Sequence, residues 1–152
     1  MSHHPVNHPA RPTYRALAGF IGLYLVIFGG LAAAKTAGGD IFAQDDTRVL
    51  WQGVNFASAV LFGALGVLVL AGVGLGRNID VLINKWLGGW FLIALGLGSL
   101  ALQATDVNYL NFDPITCFVS MVLGLLLLAA GMYGKVGSEE DVEAWQRARL
   151  VL

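Results

Sequence analysis

Three histidines near the start of the chain are its most recognisable metal-binding side chains. His3, His4 and His8 lie in the segment HHPVNH, and imidazole is a common ligand of transition metals. So short a tail supplies no fourth protein ligand, and we therefore expect no metal site there. No histidine lies in any of the apolar segments, which excludes a membrane-buried haem held by two histidines.

Acidic and amide side chains form a second group that could bind an ion. They cluster as Asp45-Asp46, Asp106-x-Asn108 and Asn111-x-Asp113. These clusters lack the glycine and the terminal glutamate of a calcium-binding loop, so we interpret them as turns and helix caps. Nucleophile motifs, phosphate-binding loops and paired catalytic carboxylates are also missing. The sequence therefore predicts no enzymatic activity and no cofactor.

A few polar side chains interrupt the apolar segments, which contain no Asp, Glu, Lys, Arg or His. Ionisable residues within a membrane usually mark an ion or proton path, so a proton-coupled transporter is disfavoured. Asn55, Ser58 and Ser120 are predicted to form hydrogen bonds between helices. The alternative is that the same three side chains line a path for a solute.

The overall composition indicates where these residues are placed. Of the 152 residues 57% are hydrophobic and only 12% are charged. A soluble domain of this size leaves roughly a third of its unfolded surface in water, so this apolar content predicts a membrane protein. The net charge of −1 gives no field that would attract nucleic acid, and the single cysteine, Cys117, cannot form an intrachain disulfide.

Four apolar segments are each long enough to cross the bilayer, because about 20 helical residues span its hydrocarbon core. They are 16–34, 49–76, 86–105 and 114–134. The sequence thus predicts an all-α integral membrane four-helix bundle at 16–134, with an N-terminal tail at 1–15 and a C-terminal tail at 135–152. A secretory signal is the alternative for the first segment, but that segment is longer than a usual signal core. We therefore expect a permanent span.

Basic residues predict the orientation of the bundle. Four spans place both tails and the loop 76–85 on one face, which carries seven basic residues: Arg11, Arg15, Arg77, Lys85, Lys135, Arg147 and Arg149. The opposite face carries two, Lys35 and Arg48. By the positive-inside rule, we expect both termini in the cytoplasm.

Capping signals predict where some helices begin. Asp113 followed by Pro114 is typical of a helix start, and Asp46 is expected to cap the second span. Ser138 to Asp141 has the spacing of a capping box and predicts a short amphipathic helix. On that helix Val142, Trp145 and Leu152 are expected along one side, which would lie on the membrane or dock a partner. A solvated tail is the alternative.

The two halves of the chain resemble each other. Arg15 to Phe20 and Lys85 to Trp90 share the order of a base, a leucine, a glycine and an aromatic residue, and Ser58 and Ser120 occupy similar positions in the second and fourth spans. We interpret this as a parallel internal repeat in which two helical hairpins are related by an axis along the membrane normal.

Glycines recur at helical spacing along the spans, and the chain has 20 of them. Lipid provides no hydrophobic drive for helix association, so small residues that allow close approach hold membrane helices together. The helix-packing residues predicted on this basis are Gly22, Gly29, Gly63, Gly72, Gly76, Gly98 and Gly124. We expect packing within the bundle first, and contact with another protein as the alternative.

The chain also resembles an uncharacterised actinobacterial family of small four-span membrane proteins. The resemblance lies in the start MSHHPVNHPARPTYR, the four spans, and the segments Leu61 to Gly63 and Val122 to Gly124. It implies a bacterial plasma membrane. Histidines often precede those glycines in the family, whereas this chain has Asn55, Ala59 and Ser120 there, which weakens any haem or metal role.

Two functions remain open at this point. The favoured hypothesis is a non-enzymatic structural or accessory subunit that packs against other membrane protein subunits or against itself, because small residues are abundant and catalytic chemistry is missing. The alternative is a passive channel or carrier for a small or lipid-like solute, formed by a homo-oligomer and suggested by the repeat. The expected partners are the lipid bilayer and membrane proteins.

Overall fold

Four long helices dominate the computed structural model, which describes residues 5–149. They are α1 (Arg11–Thr36), α2 (Phe56–Leu75), α3 (Ile79–Leu102) and α4 (Pro114–Met132), followed by a shorter α5 (Glu139–Arg149). Each of the first four is long and apolar enough to cross a membrane. The prediction of a mainly helical chain with four apolar helices is therefore confirmed.

Successive long helices run in opposite directions, so their ends meet at two ends of the bundle. At one end, which we call the terminal end, Arg11 of α1 contacts Asp80 of α3 and the carbonyl of Gly134 after α4. At the other end, which we call the loop end, Nζ of Lys35 in the last turn of α1 donates to the carbonyl of Arg48. The segment before α1 and the segment after α4 meet at the terminal end, since Asn7 N–H donates to the carbonyl of Lys135.

The second apolar segment is helical only from Phe56, and not from Val49. Residues Arg48–Val49 (β1) and Gln52–Gly53 (β2) pair as a short antiparallel hairpin before the helix. Asn55 then caps α2, so the prediction of Asp46 as its cap is wrong. The first residues of the apolar segment 49–76 thus form a hairpin and not the start of the second helix.

The third helix begins earlier than its apolar segment, at Ile79 instead of Trp86. The segment 76–85, expected as a loop, is therefore mostly helical. Asp80 is only 3% exposed in the first turn, where the Arg11 guanidinium balances its charge. Within α3 the residues Ile83–Trp90 are π-helical, a wider turn that is rare in proteins.

The start of α4 confirms the sequence prediction. Asp113 is the N-cap, its side chain accepts a hydrogen bond from Thr116 N–H, and Pro114 is the first helical residue. Nearby, aromatic rings fill the core between the helices and the loop end. The ring of Phe62 lies between those of Phe28 and Phe112, with centroids 5.4 Å from each.

Candidate functional site

The polar side chains at the start of α2 are bonded to backbone groups. Asn55 Oδ1 accepts from Ser58 N–H at 3.0 Å, and Ser58 Oγ accepts from Asn55 N–H at 2.9 Å. Asn55 Nδ2 also donates to the carbonyls of Ala43 and Tyr109, at 3.2 and 2.8 Å. Asn55 therefore ties the start of α2 to two loops while it caps the helix.

Ser120 lies elsewhere, inside α4. Its hydroxyl donates to the carbonyl of Thr116 in the same helix at 2.8 Å. Thr116 is the α4 hydroxyl that reaches another segment, because its Oγ1 bonds to the carbonyl of Gly53 at 3.0 Å. The structure thus joins Asn55 to Ser58, but their hydrogen bonds do not involve Ser120.

Asn111 completes the loop end, where it lies in a turn as predicted but also bonds to two other segments, which the sequence did not predict. Its Nδ2 donates to the carbonyls of Asp45 and Val54, at 2.9 and 3.0 Å. Asn111 has a positive φ of 54°, a conformation for which asparagine is well suited. An asparagine three residues before a predicted helix is the sequence signal for such a turn.

The acidic residues of the loop end act in turns, caps and an exposed ion pair. Hydrogen bonds from Thr47 hold the pKa of Asp45 below its usual range. Arg48 Nε lies 3.3 Å from Asp113 Oδ2. Both acidic residues border an open polar pocket of about 360 Å³. Within residues 5–149 no three His, Cys, Asp or Glu side chains are grouped so that they could hold a metal ion.

His8 is the one member of the histidine segment that the structure describes, since His3 and His4 lie outside the described residues. Its Nδ1 accepts from Ala10 N–H at 3.2 Å. Its ring packs against Tyr133 with centroids 5.1 Å apart, and Tyr133 in turn stacks on Tyr14. His8 thus contributes to aromatic packing at the terminal end.

The terminal end holds the most deeply buried charges of the described chain. Arg11 donates from Nε to the carbonyl of Gly134 at 2.9 Å, and its Nη2 lies 3.4 Å from Asp80 Oδ2. Asn84, one turn after Asp80, is also buried, and its Oδ1 has no hydrogen-bond partner among residues 5–149. The sequence alone does not single out these groups, because the apolar segments leave residues 76–85 in a predicted loop.

Two asparagines hold the segment that follows α4. Asn78 exchanges two hydrogen bonds with the backbone of Val136, at 2.7 and 2.8 Å, and Asn7 exchanges two with Gly137, at 2.9 and 3.2 Å. Both bonds of the capping box between Ser138 and Asp141 are present and lead into α5. On α5 Val142 and Trp145 are half-buried, whereas Leu152 lies outside the described residues.

Glycines give α1 and α2 their closest contacts. A Cβ built on Gly29 would lie 2.5 Å from Gly63 N and 2.8 Å from the carbonyl oxygen of Ala59. One on Gly66 would lie 2.7 Å from Val26 N and 2.8 Å from the carbonyl oxygen of Gly22. Only glycine fits at Gly29 and Gly66 without moving backbone.

The α3 and α4 pair shows the same kind of contact. A Cβ built on Gly96 would lie 2.7 Å from the carbonyl oxygen of Cys117 and 3.3 Å from Met121 N. One on Gly124 would lie 2.9 Å from the carbonyl oxygen of Gly89 and 3.0 Å from Ile93 N. Gly124 is among the glycines predicted to pack, whereas Gly66, Gly89 and Gly96, which make similarly close contacts, are not.

The remaining predicted glycines differ in environment. Gly72 faces Ile83 and Asp80 of α3, and Gly76, at φ +63°, forms the turn after α2 beside the guanidinium of Arg15. A Cβ on Gly98 would have no neighbour within 4 Å in the described part of the chain, so the prediction that Gly98 packs closely within the bundle is wrong. Gly98 instead lines an open apolar pocket of about 270 Å³ between α3 and residues 107–110.

No protein-family model, curated protein or solved structure matches this chain.

Proposed function

We propose that this chain is a non-enzymatic structural or accessory subunit that packs against a larger membrane protein complex through the outer face of α3. Gly98 carries the proposal, because it lines an open apolar pocket and its Cβ position has no atom within 4 Å among residues 5–149. Gly96, two residues earlier, is closed against α4. The two glycines therefore lie on different sides of α3.

A helical glycine that makes no close contact destabilises its helix. Glycine inside a helix costs roughly 0.5–1 kcal/mol relative to alanine. At Gly96 this cost is offset by close contact with the backbone of α4, whereas no such contact exists at Gly98. A helix of another protein, or of a second copy, would gain the same close approach there. Gly30 and Gly74 have equally open Cβ positions, so it is the apolar pocket beside Gly98 that marks this face of α3.

Purification of the full chain in a mild detergent tests the proposal. We expect the wild type to migrate with a second polypeptide or a second copy, and Gly98→Leu to release it, because leucine would fill the pocket. Gly74→Leu is the matched control, since Gly74 also lies in open space but on α2. A wild-type chain that migrates alone, or Gly98→Leu that keeps its partner, would overturn the proposal.

We further propose a bacterial plasma membrane location with both termini in the cytoplasm. Charge supports this orientation. The terminal end with the segment that follows α4 carries seven basic residues, whereas the loop end carries two, and the acidic residues are divided equally, five on each side. Basic residues are retained on the cytoplasmic side, so the terminal end fits that side.

The internal repeat is also part of the proposal, and matched helix contacts support it. In the first hairpin Gly66 contacts the backbone of Gly22 and Val26, and Gly29 contacts that of Gly63 and Ala59. In the second hairpin Gly124 likewise contacts the backbone of Gly89 and Ile93, and Gly96 contacts that of Met121 and Cys117. Equivalent positions lie 67 residues apart between α1 and α3, and 58 residues apart between α2 and α4.

This register differs by about one helical turn from the register read from sequence. The earlier pairing of Arg15 with Lys85 implies a spacing of 70, and that of Ser58 with Ser120 implies 62. Both exceed the contact-based spacings by three or four residues, which is one α-helical turn. By contacts, Ser58 corresponds to Thr116, and each is the third residue after a helix cap.

The π-helical segment fits a one-residue insertion in α3 relative to α1. Before this segment, Gly76 contacts Arg15 of α1 and the equivalent Gly134 contacts Val81 of α3. Arg15 and Val81 are therefore equivalent, and they lie 66 residues apart. After it the spacing is 67. A π-helical turn takes up one extra residue without rotating the rest of the helix, so both halves of α3 keep facing α4.

A passive channel or carrier remains the second candidate, because transporters are often built from such repeats. The hydrogen bonds of its expected lining weigh against it, since Asn55, Ser58 and Ser120 are bonded to backbone groups. Solute flux into proteoliposomes tests this candidate. Flux that the wild type supports and Asn55→Leu abolishes would favour the carrier over the subunit.

A further inference from the structure

Arg15 of α1 is held at the end of α2. Its Nε donates to the carbonyl of Val73 at 3.0 Å, and its Nη2 donates to the same oxygen. The guanidinium also lies beside Gly76, where a Cβ would come within 3.4 Å of Nη2. Arg15 therefore provides a hydrogen bond to a carbonyl in the last turn of α2, and its positive charge interacts favourably with the negative end of the helix dipole.

The charge of Arg15 has no carboxylate partner among residues 5–149. Arg11 pairs with Asp80, and Arg48 pairs with Asp113. A guanidinium has five N–H donors, and the carbonyl of Val73 occupies two of those of Arg15. Three donors of a half-buried cation in a spanning helix are thus available to an anion.

Arg77 adds a second guanidinium at the same turn. It follows Gly76 directly, is exposed, and likewise has no carboxylate partner in the described chain. Two arginines therefore flank Gly76 at an end of the bundle where basic side chains exceed acidic ones. Such interfacial basic groups attract anionic lipid at about 1 kcal/mol each.

We infer that Arg15 and Arg77 bind the phosphate of an anionic phospholipid. The exposed surface beside them favours a lipid over free phosphate as the source. Leu75, immediately before the turn, is 63% exposed. An acyl chain would cover this apolar side chain while the phosphate meets the two guanidinium groups. The inference needs membrane insertion and does not depend on a partner subunit.

Native mass spectrometry of the full purified chain tests this site. Phosphatidylglycerol and phosphatidylcholine are added separately, and the fraction of protein that retains each lipid is measured. We expect phosphatidylglycerol to be retained preferentially, and Arg15→Gln and Arg77→Gln each to lower its retention about fivefold. Arg48→Gln, at the opposite end, is the control and should leave retention unchanged.

The Arg77→Gln variant still tests the site if Arg15→Gln destabilises the protein. Arg77 donates no hydrogen bond to Val73, so Arg77→Gln removes charge without uncapping α2. Equal retention of both lipids, or unchanged retention of phosphatidylglycerol in Arg77→Gln, would overturn the inference. Inorganic phosphate that displaces the lipid from the wild type at equal concentration would overturn the lipid as source.

Discussion

Gly29 of α1 and Gly63 of α2 pack backbone against backbone, so that a Cβ on Gly29 would lie 2.5 Å from Gly63 N. No flexible side chain stands between them that could move aside. The neighbouring Gly30 has no atom within 4 Å of its Cβ position. Two adjacent glycines in one helix thus have opposite environments, and their substitution should have opposite effects.

Gly29→Ala is expected to lower the free energy of unfolding by about 1–3 kcal/mol, because the added methyl overpacks a backbone contact. Gly30→Ala is expected to raise it by roughly 0.5–1 kcal/mol, because alanine is the better helix former. Reversible unfolding in mixed micelles measures both values. Equal shifts for the two variants would contradict the contact between α1 and α2.

The four helices were predictable because the apolar segments are long and uncharged, but their ends were not. Val49 to Val54 has the composition of a span, and only Gln52, Gly53 and Asn55 indicate a turn and a cap. The early start of α3 was hidden because Asp80 looks incompatible with a membrane helix. Arg11, 69 residues away in the chain, makes it compatible.

Deletion of Leu87 from the π-helical segment is expected to leave a folded chain, because the remaining residues can form a regular α-helix in the same register. Leu23 of α1 is the matched control, as both leucines are just under half exposed. Deletion of Leu23 rotates Gly22 by about 100° relative to Gly29 around the axis of α1 and should unfold the bundle. Monodisperse elution and the thermal midpoint in detergent report the outcome.

An unfolded Leu87 deletion beside a folded Leu23 deletion would refute the one-residue insertion.

Asn55→Ala is expected to cost at least about 2 kcal/mol, because it removes a helix cap and two hydrogen bonds to loop carbonyls. Ser120→Ala is expected to cost less than about 1 kcal/mol, since its hydroxyl bonds only within its own helix. Denaturant unfolding of both variants compares these values. A larger cost at Ser120 would contradict the hydrogen bonds described for α4.

Arg11→Gln is expected to cost about 3 kcal/mol, because it leaves the carboxylate of Asp80 buried without a counter-charge. Arg48→Gln, the matched control, should cost less than about 1 kcal/mol because the Arg48 side chain is 57% exposed. Adding Asp80→Asn to Arg11→Gln should recover part of the loss. No recovery in the double variant would show that the ion pair is not the source of the effect.

The packing contacts were only partly predictable. A glycine pattern shows that a helix can be approached closely, but it does not show by which neighbour. Gly96 and Gly98 lie two residues apart, so they face different sides of α3, and only the fold reveals that α4 covers Gly96. The register of the repeat was ambiguous for a similar reason, since a shift by one turn keeps every residue on its face.

Photo-crosslinking in native membranes tests the proposed subunit role most directly. A photoreactive residue is placed at Leu102, which lines the pocket beside Gly98, and at Leu31 of α1 as a similarly exposed control. We predict that Leu102 yields one discrete protein adduct, that Gly98→Leu removes it, and that Leu31 yields none. Lipid adducts alone from Leu102, or the same protein adduct from Leu31, would contradict the proposal that this face of α3 contacts a partner.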